Sequence, residues 1–332
     1  MDIYKLHYPE TMKIDSTDQY SLAIGFFDGL HKGHQTVIAE AKKKAVELGI
    51  RSAVMTFDPH PSHLFGDGDK KVGYITQYPE KARLLESMEI DALFIVTFDW
   101  DLASLSPKQF VDIFMKGLPI KHVTAGFDYT FGSKGAGTME QMAALADGAF
   151  GTTVIDKVTD HDEKVSSTRI RQLLAKGDVE ETAVLLGRPF RTVGIVVHGE
   201  KRGRLLGFPT ANVSPKNNTV LPANGVYAVR FTADGIMRNG VCSVGVKPTF
   251  HESGIPPIVE VNVLDFDGDL YDKEVAVDWI KYLRPEEKFE SVNALIEQMV
   301  IDKQQARVVL KPAEDPAGLS KPPADVTNFE GS

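Results

Sequence analysis

His31 and His34 stand three residues apart among glycines in GFFDGLHKGHQ, residues 25 to 35, after an apolar run and before a helical one. A helix start carries unpaired N–H groups and a partial positive charge, which together favour a bound phosphate by roughly 0.3 to 2 kcal/mol. Two imidazoles on that turn would add donors to an oxygen whose charge grows during a reaction, and Gly25, Gly29 and Gly33 would let the backbone approach a ligand. A metal site and a purely structural turn are the competing readings; no third metal ligand lies nearby in sequence. In VSSTRIRQLLAKGD (165 to 178), Ser167 or Thr168 is placed to cap another helix, with Arg169 and Arg171 in its first turn. The helix dipole disfavours cations there, so a bound anion would explain them. GFDYTFG (126 to 132) puts Asp128 and aromatic rings at a strand end, where a base or planar ring could lie.

A second glycine-rich, basic stretch, HGEKRGRLLGFPTANV, spans 198 to 213. Neither GxxxxGK[ST] nor GxGxxG occurs in the chain, so phosphates need another loop. N–H groups around Gly203 and Gly207 could cradle them, with Thr210 and Asn212 as hard oxygen ligands suited to Mg²⁺. A bulged hairpin is the alternative. Glu260, alternating with Val259, Val261 and Val263, reads on its own as an outward-facing strand residue.

These residues sit on two kinds of framework. Up to about residue 186, strands at 20 to 25, 51 to 57, 91 to 98 and 121 to 132 alternate with helical patterns at 34 to 49, 79 to 90 and 106 to 117. Such alternation predicts an α/β domain with a parallel sheet, which binds ligands at the carboxyl ends of its strands. After LLGRPF (185 to 190), five or six β-branched or alternating runs follow without intervening helices, which predicts a small antiparallel β-barrel or sandwich. A helix over 291 to 310 closes the fold, and KPAEDPAGLSKPPADVTNFEGS reads as a disordered tail. The expected organisation is therefore domains at 1–186 and 187–311 with a tail at 312–332. His63, Trp100 and Trp279 are expected to serve loop shape and packing, and His198 and His251 to lie in loops.

With 332 residues, 42% of them hydrophobic, the chain can bury two cores. Its net charge of −9 argues against nucleic acid as a main partner. The single cysteine, Cys242, excludes an internal disulfide and suits a reducing compartment. No signal peptide and no run of about 18 apolar residues is visible, so a cytoplasmic protein without a membrane partner is expected.

GFFDGLHKGH, GFDYTFG and SSTRIR, in that order, resemble the N-terminal half of the bifunctional prokaryotic riboflavin kinase and FMN adenylyltransferase (FAD synthetase) family. The HxGH pattern alone is shared with other nucleotidyltransferases. GFPTAN, VKPTF (246 to 250) and VEVNVLDFDGDLYDKEV (259 to 275) resemble the riboflavin kinase half. The resemblance implies a Rossmann-like nucleotidyltransferase domain followed by a β-barrel kinase domain with a terminal helix. It implies riboflavin, FMN and ATP as partners and Mg²⁺ with the ATP; a monomer or weak homo-oligomer is expected. His31 and His34 would bind the ATP phosphates as the phosphate of FMN attacks the α-phosphorus. Gly25, Phe26, Asp28, Gly33, Asp128, Ser167, Thr168 and Arg171 would line that nucleotide site, although Asp128 stands where many relatives have Asn. Gly203, Gly207, Pro209, Thr210 and Asn212 would hold the kinase nucleotide, with Thr210 and Asn212 at the metal and Glu260 as base for the 5′-hydroxyl of the ribityl chain. A kinase that has lost adenylyl transfer and a flavin-binding protein without chemistry are the rival readings.

Overall fold

The computed structural model describes residues 1–14, 17–65, 72–199, 207–216, 218–245 and 258–311. It divides into two compact units, Met1–Ser167 and Thr168–Ser332.

In the first unit, β1 (Asp2–Leu6), β2 (Tyr20–Ile24), β3 (Arg51–Asp58), β4 (Ala92–Thr97), β5 (Ile120–Gly126) and β8 (Gly151–Ile155) form one parallel sheet in the order β1-β4-β3-β2-β5-β8. All five residues of β2 are buried, as are six of the eight in β3, so these central strands are covered on both faces. Leu6, Leu22, Phe94, Phe114 and Val123 form the core on one face; Val37, Ile38, Val54, Leu85 and Leu93 form it on the other. The crossover helix α1 (Lys32–Leu48) buries Val37, Ile38, Ala41 and Ala45 and stops at Gly49, whose φ of 65° is a left-handed cap that glycine adopts without a Cβ clash. The chain runs leftward from β2 to β3 and later crosses back to β5, so the strand order switches beside the carboxyl end of β2. Open parallel sheets bind ligands in the crevice at such a point.

The remaining helices are α2 (Pro61–Phe65), α3 (Tyr78–Ser87), α4 (Trp100–Ser104), α5 (Pro107–Phe110) and α6 (Met139–Ala146). Two short ribbons pair β6 (Thr130–Phe131) with β7 (Gly137–Thr138), and β9 (Thr159–Asp160) with β10 (Glu163–Lys164). Where one helix is expected over 106 to 117, a Ser106–Gln109 capping box opens α5, and the chain continues as a π-helical segment, Val111–Lys116. Trp100 is 63% exposed and meets the Phe65 ring edge-on.

The second unit begins with α7 (Ser167–Ala175), whose first residue still belongs to the first, and α8 (Val179–Leu186). Strands β11 (Phe190–Val197), β12 (Ala211–Pro215), β13 (Gly225–Ala233), β14 (Ile236–Gly245), β15 (Ile258–Val263) and β16 (Glu274–Arg284) close a barrel in the order β11-β12-β15-β14-β13-β16. All its pairings are antiparallel. Asp234 and Gly235, both at positive φ, make the tight turn between β13 and β14. Inside lie Tyr227, Val229, Phe231, Val277 and Trp279, whose indole Nε1 donates to Thr192 Oγ1 at 2.9 Å. The terminal helix α9 (Val292–Val309) is capped by Ser291 and packs Ala306 and Leu310 over Ala228. Arg284 holds the same helix through two 2.8 Å bonds to Asp302. Residues 312–332, expected as a tail, lie outside the described residues.

The packing boundary at 167/168 precedes the change of pattern at 186/187. Helices α7 and α8 read as part of an α/β run, yet they pack on the barrel: Ala223 N–H donates to Leu174 O at 2.8 Å, and α8 lies on β11 and β16. Gly177, at φ 79°, has room for no Cβ without meeting the Tyr227 hydroxyl at 3.0 Å. A fragment starting near Thr168 is therefore expected to melt several degrees above one starting near Leu185, because the shorter piece loses the burial of Leu174 and Val179, each worth about 1.5 to 3 kcal/mol. Equal melting temperatures in calorimetry would refute that boundary.

Candidate active sites

The turn from β2 into α1 builds the first site. His31 is the N-cap of α1 and is buried; its Nδ1 accepts the His34 backbone N–H at 3.2 Å, so the ring proton of neutral His31 resides on Nε2. The His31 and His34 rings stack with centroids 3.5 Å apart, and Phe27 meets His34 edge-on at 5.3 Å. A Cβ at Gly33 would lie 3.2 Å from the His31 ring, so glycine permits this stack. Phe27 and Leu30 hold positive φ angles of 49° and 45° without being glycine, which marks a backbone fixed by its surroundings.

His34 Nδ1 is buried and has no hydrogen-bond partner among the described residues. An orphaned ring nitrogen at a helix N-terminus and a sheet switch point is what a bound phosphate would satisfy. Burial holds the His34 pKa well below the usual 6.5, and the charges of His31, Lys81 and Lys164 push the same way. The folded state thus keeps His34 neutral where the unfolded chain would protonate it, so this group's contribution to stability is complete above pH 6.5 and declines as pH falls below it. In NMR titration of the His34 ring, the midpoint is expected well under 6.5; an ordinary midpoint would contradict this environment.

Ser167 reaches the same turn, its Oγ donating to Asp28 O at 2.8 Å; it begins α7 rather than capping it. Asp128, after β5, pairs with Lys164, whose Nζ lies 4.9 Å from the Phe127 ring centroid. Asp28 has a structural task instead of an open one: its buried carboxylate accepts the Ile75 and Thr76 N–H groups at 3.0 Å. Gly25 leaves room for the Phe27 ring, 3.0 Å from where a Cβ would stand. The Phe26 ring faces His60 at 4.4 Å, and its carbonyl accepts from Thr56 and Lys81. Lys81 carries no sequence signal, because a lone lysine on an amphipathic helix gives no sign that it is buried; Lys164 is an exposed residue of β10 whose pairing with Asp128 no local pattern encodes. Thr168, Arg169 and Arg171 belong to the second unit, where Arg169 bonds Glu181 at 3.1 Å. His63 Nε2 lies 3.1 Å from Val72 O. Among the described residues there is no group of three or more His, Cys, Asp or Glu that could hold a metal ion.

The residues of the second candidate site lie on the outer wall of the barrel. Ala211, Val213, Val259, Val261 and Cys242 point inward and are buried, so the alternate residues point out. Glu260 stands opposite Asn212 on β12 and opposite Ser243 on β14, a polar row across three strands. The carboxylate also lies near Cys242, whose thiol is pushed well up by burial and, secondarily, by the charge of Glu260. Thr210 directly precedes β12. Asn262, two residues beyond Glu260, donates from Nδ2 to Pro209 O at 2.7 Å and so ties β15 to the Thr210 segment. A Cβ at Gly199 would lie 2.2 Å from the Asn212 amide nitrogen, so glycine leaves the space that the Asn212 side chain occupies. Gly207, at φ 81°, is in a conformation only glycine adopts readily. The His198 ring lies tilted against Tyr271, with centroids 4.0 Å apart. Gly203, VKPTF and His251 lie outside the described residues.

Comparisons with known proteins give each unit a family. A family model described as FAD synthetase matches residues 13–169, and one described as riboflavin kinase matches 186–310. The bifunctional riboflavin kinase/FMN adenylyltransferase of Bacillus subtilis is 46% identical over 286 residues, 86% of this chain and 90% of that protein. The chain belongs to the bifunctional riboflavin kinase/FMN adenylyltransferase family. The Listeria monocytogenes member of this family is 42% identical over 315 residues, 93% of this chain and 98% of its own. A crystal structure described as a macrolide-efflux protein from Streptococcus pneumoniae, 34% identical, covers 91% of this chain and 98% of its own with a TM-score of 0.83. Among the described residues of this family member, no helix is long and apolar enough to cross a membrane. Residues 170–185, which include most of α7 and most of α8, fall between the two family matches.

Proposed function

We propose that the chain carries out both reactions of its family at two separate sites: phosphorylation of riboflavin to FMN on the barrel, and adenylyl transfer to FMN at the β2–α1 turn. The reading rests above all on the stacked His31–His34 pair, with its orphaned Nδ1, at the switch point of a parallel sheet. In adenylyl transfer a phosphate oxygen of FMN bonds to the α-phosphorus of ATP as the bond to the bridging oxygen breaks, and pyrophosphate leaves. No covalent enzyme intermediate is needed; positioning and donors aimed at the developing charge suffice. His31 donates from Nε2, and neutral His34 supplies a second polar contact without adding a cation. The first-turn N–H groups of α1 complete the cradle, and Ser167 braces it by donating to Asp28 O.

In the kinase reaction Glu260 takes the proton of the ribityl 5′-hydroxyl as that oxygen bonds to the γ-phosphorus and ADP leaves. Transfer from ATP calls for a divalent cation. The Thr210 hydroxyl and Asn212 carbonyl are hard oxygen donors of the kind Mg²⁺ takes, and Gly199 leaves the space that Asn212 occupies. Mg²⁺ there would neutralise phosphate charge and orient the γ-phosphoryl group. Riboflavin, FMN and ATP are the partners of a monomer or weak homo-oligomer, and one buried cysteine suits the reducing cytoplasm. Incubation with riboflavin, ATP and Mg²⁺, followed by chromatography, is expected to yield FMN and then FAD. FMN alone would mean a kinase without the second activity, and unchanged riboflavin a flavin-binding protein.

A further inference from the structure

Lys81 on α3 is only 5% exposed, and its ammonium points at neutral oxygens: Nζ donates to Phe26 O at 2.9 Å and to Thr56 Oγ1 at 3.0 Å. Thr56 Oγ1 in turn donates to Phe26 O at 2.9 Å, so this one carbonyl accepts two hydrogen bonds from beneath. Burying an ammonium costs several kcal/mol, and an apolar side chain of similar volume would avoid the cost, so a cation here calls for a use. Phe26 opens the turn that carries Phe27, Leu30 and His31, including the two non-glycine positions at positive φ. We propose that Lys81 is a positioning residue for adenylyl transfer, clamping the Phe26 carbonyl to β3 so that the turn above it presents His31 and His34 to the phosphates of ATP. The inference rests on the adenylyl-transfer reading given above.

The surroundings agree. Three titratable groups act on Lys81 or feel its charge, from three elements: Asp28 on the turn, Asp58 on β3 and His34 on α1. Burial lowers the Lys81 pKa to about 8, against the opposing pull of Asp28 and Asp58. Its charge is one of those that keep His34 neutral. The clamp is strongest while the amine is protonated, because a hydrogen bond from a charged donor is roughly twice as strong as a neutral one.

In the full-length chain supplied with FMN, ATP and Mg²⁺, Lys81→Met is expected to lower kcat for FAD formation by roughly 10 to 10² fold, the effect of one charge-assisted hydrogen bond. The KM for ATP should change little, and phosphorylation of riboflavin by the same sample should persist. The wild-type rate of FAD formation should fall as pH rises through about 8, and Lys81→Arg, which keeps a charge that does not titrate there, should recover most of kcat and lack that falling limb. Wild-type kcat in Lys81→Met, or equal loss of both activities in Met and Arg variants, would overturn the proposal. Should Lys81→Met not fold, the pH profiles of wild type and Lys81→Arg decide: identical profiles overturn it. A wild-type chain that forms no FAD at any pH would instead overturn the reading on which the proposal rests.

Discussion

Glu260→Gln slows FMN formation by roughly 10² to 10⁴ fold and leaves FAD formation from supplied FMN intact, the loss expected when a general base is replaced by its amide. Glutamine keeps the shape and the strand register, so the row from Asn212 to Ser243 stays in place and only basicity goes. Glu260 points away from the packed interior, and the change therefore tests chemistry rather than core packing. Initial rates of riboflavin phosphorylation, with flavins separated by chromatography, give the number. A rate within a factor of two of wild type would leave Glu260 as the outward-facing strand residue that alternation alone suggests. Loss of both activities would mean that the variant had unfolded or that the two sites are not separate.

His34→Ala has the opposite signature: FAD formation falls on the order of 10² to 10³ fold, as for loss of one donor to developing charge, and FMN accumulates from riboflavin and ATP. His34 is the cleaner probe of the pair, because the His31 ring also accepts the cap hydrogen bond of α1. Removing that bond costs about 0.5 to 2 kcal/mol of stability apart from any catalytic effect. His31→Asn, which can still cap, separates the two contributions: it should hold the melting temperature while lowering FAD formation. General destabilisation would reduce both reactions together, whereas two sites give one loss per variant. Unchanged FAD synthesis in His34→Ala would end the role assigned to that ring.

The sequence made the framework legible where patterns were strong. The buried runs YSLAI and RSAVMTF, with the HxGH turn beside them, predict a parallel sheet, and the short β runs after residue 187 correspond to the six antiparallel strands of the barrel. Edge strands were another matter: β1 buries only Leu6, and β8 is partly exposed throughout, so neither carries the apolar run that reveals a central strand. Pairing with β4 and β5 makes them strands. The assignment of α7 and α8 to the barrel was hidden for a related reason, since amphipathic spacing says that a helix buries a face but not against what. At the site, the histidines and glycines were recognisable by type and spacing. Lys81 and the latch from Ser167 to Asp28 depend on distances across 139 residues in one case and a buried pocket in the other, which a local pattern does not encode.

Closure of the barrel by β11 against β16 leaves every strand with two neighbours and fills the interior with Tyr227, Phe231 and Trp279. Among the described residues of the barrel no strand edge is left open for another chain to template on, and the middle is filled by side chains. The frame can therefore keep folding while its outward-facing positions, among them Asn212, Ser243 and Glu260, change over evolutionary time or are re-engineered, because the interior packing does not depend on them.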